Sequence, residues 1–281
     1  VTVGDGAEIL PGGTVCRVRN LQVHGKDVET AYAGQRVAIN LAGVKKSDLA
    51  RGDTIACPGS VRTALMLDVR LQNLRESRRT ILNGSQVHFF HGSSVRLCKV
   101  VLLDRDALRP GERCYAQLRM TEEISARPGD RFVVRFYSPL ETIGGGVVLD
   151  DSPMKHKRND PRVLEALAVK ENGSGDQKLL QTVAEQGLAL PTAEQLAAKL
   201  HQEPEELARQ LQDLCTAGKV TEPLPGRFLA SSVLDARWET CRGILEQYHR
   251  QNPLHAGMRV AELRQKLFKN TDQAVCDAVL R

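Results

Sequence analysis

The sequence predicts a multidomain protein of β and α structure, in which two antiparallel β-barrels precede winged-helix domains. Residues 1 to about 150 consist of short β-type runs separated by turns rich in Gly and Pro, with no helical periodicity between them. After Asp150 the apolar residues recur every three or four positions, as they do in amphipathic helices. A pair of short β-type runs then flanks Pro225-Gly226, directly behind two helical segments. This order of helices and a two-stranded wing is typical of a winged helix.

Length and composition limit the class of protein. The 281 residues suffice for about two to four domains. A content of 41% hydrophobic and 26% charged residues is that of an ordinary globular protein. The formal net charge of +5 is compatible with nucleic-acid binding without establishing it. No apolar run approaches the roughly 20 residues of a membrane span, and no signal peptide is visible. We therefore expect a cytoplasmic monomer that does not contact membranes.

Cysteine spacing argues against disulfides and zinc. The chain has seven cysteines, an odd number, and none of them forms a Cys-x-x-Cys pair. Together with the missing signal peptide, this predicts reduced and mostly buried thiols. No Cys/His cluster has the spacing of a zinc site, so we expect no metal. The cysteines are Cys16, Cys57, Cys98, Cys114, Cys215, Cys241 and Cys276.

The β-rich part is predicted to divide near residues 60–62 into one barrel over residues 1–61 and a second over residues 62–150. Turn signals such as Pro58-Gly59 and Asn83-Gly84 separate the strands. The start of the chain reads as if it lay inside a β-structure, which predicts a fragment of a larger protein. The predicted strands are Thr14–Val23, Arg36–Leu41, Thr54–Cys57, Ala64–Leu71, Val87–Phe90, Val95–Leu103, Cys114–Met120 and Arg131–Tyr137.

The remaining residues are predicted to form a basic linker, residues 151–158, and two winged helices. Lys155–Arg158 is the basic run of the linker; it could contact RNA or form a solvated hinge. In the first winged helix, residues 159–232, Thr192 and Gln195 form a capping box, and Pro204 opens the next helix. Residues 233–281 repeat the order of helices without a wing, which predicts an incomplete second winged helix.

Sequence motifs for catalysis are missing. The phosphate-binding loop Gly-x-x-x-x-Gly-Lys-Ser/Thr does not occur. Gly144-Gly145-Gly146 is no substitute, because no Lys-Ser/Thr opens a helix behind it; it predicts a bulge or a tight barrel corner. The seven histidines are scattered and form no hydrolytic constellation. We therefore expect no catalysis and no bound cofactor in this chain.

Residues 33–60 resemble the closing strands of the second domain of translation elongation factors. The run Phe90–Asp104, together with residues 117–119, 129–135 and 142–148, resembles the third domain of the same proteins. With tandem winged helices directly behind them, the chain resembles the family of bacterial selenocysteine-specific elongation factors (SelB) over essentially its whole length. We interpret it as a fragment of such a protein, with the GTPase domain outside the chain.

The resemblance implies a function. Members of the family use GTP, with magnesium, to bring selenocysteinyl-tRNA to the ribosome at a recoded UGA codon, and their last winged helices bind an mRNA hairpin. The full-length family is a translational GTPase. For this chain the resemblance implies the tRNA-binding part, with selenocysteinyl-tRNA and the ribosome as partners and the mRNA hairpin bound by domains that lie elsewhere.

The resemblance also implies site residues. Arg36 falls where the family places one of the arginines that recognise selenocysteine as a selenolate. A guanidinium is always charged and weakly hydrated, so it favours an anion over the neutral serine side chain. The family's other pocket groups, an Asp-Arg pair, belong to a strand upstream of Val1, so strong selectivity is not expected here. The alternative is an arginine at the barrel rim that pairs with a carboxylate such as Glu29.

For the second barrel, the resemblance places a tRNA backbone near the loop Tyr137–Thr142. Arg135 and Thr142 are the candidate phosphate contacts, and an ordinary position on the barrel surface is the alternative. Two other classes of protein stay open: another translational GTPase, such as an initiation or general elongation factor, and a winged-helix regulator that binds nucleic acid. The tail discriminates against the first class, and the barrel motifs discriminate against the second.

Overall fold

The computed structural model describes residues 1–268 and 271–280. The chain divides into two compact units, residues 1–171 and residues 172–281. The predicted combination of antiparallel barrels and helical winged domains is confirmed, whereas the predicted limits of the individual domains stay predictions. Residues 269, 270 and 281, which fall within the predicted second winged helix, lie outside the described residues.

Five antiparallel strands form the first barrel-like sheet. β1 pairs with β2 and β5, while β2 also pairs with β3 and β4. β2 has the predicted bounds, whereas β1 and β3 were not predicted. A small core of Ala7, Val18, Leu21 and Ala31 lies beneath the sheet. The strands are β1 (Gly6–Leu10), β2 (Thr14–Val23), β3 (Lys26–Val28), β4 (Val37–Ala42) and β5 (Thr54–Ala56).

Six longer strands close the second barrel. Around the barrel their order is β11-β6-β13-β12-β8-β9, and all neighbours are antiparallel. The short strands β7 and β10 pair with each other beside it. The strands are β6 (Thr63–Asn73), β7 (Ile81–Leu82), β8 (Gln86–His91), β9 (Ser94–Leu102), β10 (Ala107–Leu108), β11 (Arg113–Ser125), β12 (Arg131–Phe136) and β13 (Thr142–Asp150).

The glycine run Gly144–Gly146 lies in β13, between β12 and β6. The pairing with β12 shifts register beside Gly144, so the predicted bulge is present. A Cβ atom on Gly146 would lie 1.9 Å from the carbonyl oxygen of Arg70, and one on Gly145 would lie 2.5 Å from that of Phe132. The glycines therefore allow three backbones to approach closely, which is why the barrel needs them.

The core of the second barrel contains mostly aliphatic side chains, as the 4% aromatic content suggests. Phe89 is fully buried, and its ring stacks on that of Phe132 with 4.9 Å between the centroids. A fully buried aromatic ring contributes more apolar area than any neighbouring Leu or Val. This pair is consequently the largest single element of the core.

The two barrels contact each other at Gly52. This glycine has φ of +105°, and a Cβ atom on it would lie 2.9 Å from Cα of Ser94. Arg127 Nη2 donates a hydrogen bond across the same seam to the carbonyl oxygen of Ser60, at 3.0 Å. The turn at Gly52 thus also sets how closely the barrels approach.

Residues 152–172, here called the strap, pack on the wall of the second barrel. Their helix α1 (Pro161–Asn172) buries Leu167, which packs with Val101, Leu103 and Leu149. Arg158 Nη2 and Nε donate hydrogen bonds to the carbonyl oxygens of Arg105 and Leu102, at 2.7 and 2.8 Å.

His156 lies against Asp68 of β6. The interpretation of the basic run as a solvated hinge is therefore wrong for His156 and Arg158, because both side chains are held by the barrel. The sequence assigns residues 159–232 to the first winged helix, but α1 packs on the barrel because its apolar side chain Leu167 is buried there.

The helical unit follows the predicted order. Thr192 and Gln195 form the predicted capping box, and Pro204 opens the following helix as predicted. Leu179, Leu207 and Leu211 lie in one core, and Cys241 and Leu267 lie in a second. The elements are α2 (Gly175–Gln186), α3 (Ala193–Leu200), α4 (Pro204–Thr216), β14 (Val220–Leu224), β15 (Arg227–Ala230), α5 (Ser231–Gln251), α6 (Val260–Leu267) and α7 (Gln273–Val279).

All seven cysteines are free, and four of them are buried. Burial raises the pKa of the Cys98 and Cys114 thiols to about 12. Cys57 alone among the seven is exposed. Within residues 1–268 and 271–280, no helix is long and apolar enough to cross a membrane, and no three His, Cys, Asp or Glu side chains converge as a metal site.

Candidate functional site

Arg36 lies on the first barrel, directly behind a tight turn. Tyr32 donates its N–H to Oε1 of Gln35 at 2.8 Å, and Gln35 donates its N–H to the carbonyl oxygen of Tyr32 at 3.3 Å. Gly34 has φ of +86°, which a side chain would oppose. β4 begins after Arg36, and its first residue, Val37, pairs with Val23 of β2. The turn and the strand together fix where the Arg36 backbone leaves the sheet.

The side chain of Arg36 is exposed. Among the described residues it has neither an ion pair nor a hydrogen bond, so the pairing with Glu29 is not observed. The guanidinium therefore projects into solvent with its charge uncompensated by a close carboxylate. Such a group can bind an anion, but solvent screens the interaction more than it would in a closed pocket.

A groove of about 500 Å³ opens elsewhere on the first barrel. Asp27, one of its lining residues, accepts hydrogen bonds from Asn20 and Gln22, both at 2.9 Å, and these bonds lower the pKa of its carboxyl. Glu29 also lines the groove. Two carboxylates make this groove unsuitable for an anionic ligand.

Arg135 and Thr142 lie directly opposite each other, because they are register partners of β12 and β13. Arg135 Nη2 donates to the carbonyl oxygen of Leu140 at 3.0 Å, and its guanidinium carbon lies 5.6 Å from the centre of the Phe90 ring. Thr142 is exposed. The structure thus brings together the two residues predicted for the second barrel, whereas Arg36 lies on the first.

The loop of residues 74–80 adds arginines to this end of the barrel. Leu74 donates its N–H to the carbonyl oxygen of Ile143 at 2.9 Å, so the loop runs beside the β12–β13 turn. Arg79 Nε lies 3.0 Å from Oε2 of Glu141, and the Arg79 guanidinium covers the Phe136 ring at 4.3 Å. Glu141 therefore compensates the positive charge of Arg79 and not that of Arg75 or Arg78.

Arg75 and Arg78 are exposed and form no ion pair within the described part of the chain. Gly111 lies against the Arg75 side chain and donates its N–H to the carbonyl oxygen of Asn73, which places the neighbouring Arg109 at the same end. We call this set the arginine surface. It consists of Arg75, Arg78, Arg79, Arg109 and Arg135.

Sequence reasoning missed most of the arginine surface. The run of three arginines at positions 75, 78 and 79 was visible, but about 60 residues separate it from the loop predicted to contact RNA. Only the closure of the barrel brings the two segments together. Local charge density between two predicted strands is the one signal that could have marked it.

Three sequence families match parts of the chain. The family described as elongation factor Tu domain 2 matches residues 1–56, and the selenocysteine-specific elongation factor β-barrel domain matches residues 68–155. The family described as elongation factor SelB, winged helix, matches residues 242–281. The three matches follow the order of the barrels and the helical tail.

A selenocysteine-specific elongation factor from Desulfomicrobium baculatum is 34% identical to the chain over 265 residues. The alignment covers 93% of this chain and 41% of the relative. The chain belongs to the selenocysteine-specific elongation factor family. The namesake from Escherichia coli K12 is 26% identical over 280 residues, covering 98% of this chain and 42% of the relative. The chain therefore spans about two fifths of the length of these family members.

A solved structure supports the fold of this family member. The crystal structure of a bacterial selenocysteine-specific elongation factor, EF-Sec, aligns with a TM-score of 0.68 at 20% identity. The alignment covers all of this chain and 42% of the EF-Sec chain. At this identity the likeness concerns the fold, namely the succession of β domains and helical domains described above.

Proposed function

We propose that this chain is the tRNA-binding part of a selenocysteine-specific elongation factor, which delivers selenocysteinyl-tRNA to the ribosome at recoded UGA codons. One observation carries the proposal: similarity to a protein of that name extends over 93% of the chain, through both barrels and into the helical tail. A general elongation factor or an initiation factor would not account for the tail. A winged-helix regulator would not account for the barrels.

The arginine surface is the proposed contact for the tRNA backbone. Exposed guanidinium groups bind phosphates in a bidentate manner and contribute affinity independent of sequence. Thr142, the register partner of Arg135, adds a hydroxyl that can donate to a phosphate oxygen. The exposed carboxylate of Glu76 lies within the same loop, so the surface is cationic without being uniformly so.

Arg36 is the proposed contact for the aminoacyl group. A selenol is more acidic than a thiol and is largely an anion at neutral pH, whereas a seryl hydroxyl is neutral. The uncompensated guanidinium of Arg36 therefore favours the selenolate. Because the side chain is exposed, the discrimination that it supplies alone is about fivefold.

GTP and magnesium are proposed cofactors of the whole protein. The described residues do not fit them: the glycine run Gly144–Gly146 lies inside a sheet, where even a Cβ atom would clash with backbone carbonyls. We therefore assign no catalytic residue to this chain. Contact with the ribosome, recognition of an mRNA hairpin by other winged helices, a monomeric state and a cytoplasmic location complete the proposal.

The test is binding of the chain to selenocysteinyl-tRNA and to seryl-tRNA with the same tRNA body. We expect the selenocysteinyl form to bind about fivefold more tightly, and we expect Arg36→Ala to remove that preference while retaining tRNA binding. Fluorescence anisotropy of end-labelled tRNA measures both constants. Arg19→Ala, an exposed arginine of the same barrel, is the matched control and should keep the preference.

Two outcomes would count against the proposal. Failure to bind either tRNA would remove the tRNA-binding role. A preference that persists in Arg36→Ala would remove Arg36 from the aminoacyl site and leave the arginine surface as the tested contact.

The double variant Arg75→Ala/Arg78→Ala tests the arginine surface. The logarithm of the affinity falls linearly with the logarithm of the salt concentration, and each lost phosphate contact reduces the magnitude of that slope by about one. We therefore expect the double variant to bind both tRNAs more weakly, with a slope that is smaller in magnitude by about two. Titrations at several salt concentrations measure the slope. Arg131→Ala is the control, because Arg131 lies at the other end of β12 from Arg135, and this variant should leave the salt slope unchanged. An unchanged slope in the double variant would exclude Arg75 and Arg78 as phosphate contacts.

A further inference from the structure

Two buried carboxylates face each other on the wall of the second barrel. Asp68 of β6 and Asp150 of β13 are register partners, and they are 0% and 6% exposed. Asp151 follows and is also buried. Buried anions of like charge are costly unless cations and hydrogen bonds compensate them. The barrel itself supplies an amide: Gln117 Nε2 donates to Oδ1 of Asp68 at 3.0 Å.

The strap brings one cationic side chain to Asp150 and one to Asp68. Nζ of Lys170 lies 2.5 Å from Oδ2 of Asp150, and Nε2 of His156 lies 2.5 Å from Oδ2 of Asp68. The lysine keeps its proton throughout the neutral range, whereas an imidazole does not. Only one of the two attachments can therefore change its charge near neutral pH.

Charged groups of two other elements also act on His156. Asp150 and Lys170 act on the imidazole from β13 and α1, with opposite effects on its charge. From β11, Arg119 donates to Oε1 of Gln117, whose amide also donates to the carbonyl oxygen of Met154 in the strap, at 2.9 Å. Gln117 is thereby oriented so that its amide, and not its oxygen, meets Asp68.

We propose that residues 152–172 form a pH-sensitive strap, held on the barrel when His156 is protonated against Asp68 and loosened when the imidazole loses its proton. Deprotonation would leave the buried Asp68 carboxylate beside Asp150 without its cation. The strap would then lose one of its charged attachments, while the ion pairs of Lys170, Arg158 and Glu171 remain. The Leu167 contact also remains.

The direction of the pH dependence follows from the pair. The hydrogen bond to Asp68 raises the pKa of His156, and burial raises the pKa of Asp68. A raised histidine pKa in the docked state contributes stability that is complete below the ordinary histidine pKa of about 6.5. That contribution is lost as the pH rises through the pKa of docked His156. The strap should consequently be tightest in mild acid and looser in mild alkali.

Hydrogen exchange of the intact chain between pH 6 and pH 9 tests the proposal. After correction for intrinsic rates, we expect protection of the strap amides, such as that of Asn159 bound to Leu103, to fall with pH while the barrel strands keep theirs. The fall should be about tenfold for each unit by which docking raises the pKa of His156. His156→Gln keeps a donor for Asp68 but does not titrate, so its protection should be independent of pH.

His24→Asn is the matched control, because His24 is an exposed histidine of the β2–β3 turn. It should behave as the wild type. Constant protection of the wild-type strap over this pH range, or an undiminished pH dependence in His156→Gln, would overturn the proposal. If His156→Gln does not fold, an NMR titration of the wild-type imidazole decides, since a His156 pKa at or below the ordinary value would equally overturn it.

Discussion

Gly146→Ala should cost the second barrel about 3 kcal/mol or more of its free energy of unfolding, which is the upper part of the range for overpacking a buried site. The added methyl group would lie 1.9 Å from the Arg70 carbonyl oxygen and 2.9 Å from the Phe132 ring. The ring can turn away, but the carbonyl belongs to β6 in a closed barrel, so the strands themselves must separate. Urea unfolding followed by circular dichroism measures the loss.

Gly243→Ala is the control for the same chemical change. Gly243 lies within α5, and a Cβ atom there would meet nothing within 4 Å. Alanine is favoured over glycine in a helix by about 1 kcal/mol, so this variant should be neutral or more stable. A Gly146→Ala protein as stable as the wild type would show that the barrel can widen at β13, contrary to the close approach described here.

Phe89→Ala should cost about 3–5 kcal/mol of the free energy of unfolding, the usual range for removing a buried phenylalanine. The ring is fully buried and stacked on Phe132, and it is one of only six phenylalanines in the chain. Thermal and urea unfolding of the intact chain measure the effect on the barrel transition.

Val95→Ala, which removes a 42% exposed side chain from the neighbouring β9, should cost within about 0.5 kcal/mol. A loss for Phe89→Ala that is no larger than this control value would mean that the surrounding aliphatic side chains collapse into the space. The stacked pair would then not be the centre of the core.

The strands and helices with strong periodic patterns were predictable. β2 and the helix opened by Pro204 were found near their observed limits, because turn and capping residues mark them in the chain itself. β1 was missed although Gly4-Asp5 precedes it, since its residues Gly6–Leu10 carry no regular alternation of polar and apolar side chains. α1 was not predicted as a separate helix, because residues 159–232 were assigned to the first winged helix as a whole and a sequence pattern does not tell which surface covers an apolar face.

The resemblance supplied the positions of Arg36, Arg135 and Thr142, and their roles stay predictions. The adjacency of Arg135 and Thr142 depends on the register of β12 and β13, and the glycine run predicted a bulge or a corner there without fixing which residues pair across it. The contribution of Arg75 and Arg78 depends on a hydrogen bond between distant backbone segments, Leu74 and Ile143. Contacts of this kind arise from barrel closure and leave no local signature.

The distribution of the thiols makes the protein convenient to label. A maleimide reacts with the thiolate, so Cys98 and Cys114, whose pKa values are about 12, stay inert at neutral pH in addition to being buried. Cys57 is exposed at the end of β5. Cys16 and Cys215 are partly exposed, so replacing these two by serine would leave Cys57 as the accessible thiol for a fluorophore on the first barrel. Such a label gives the tRNA titrations a reporter on the protein side.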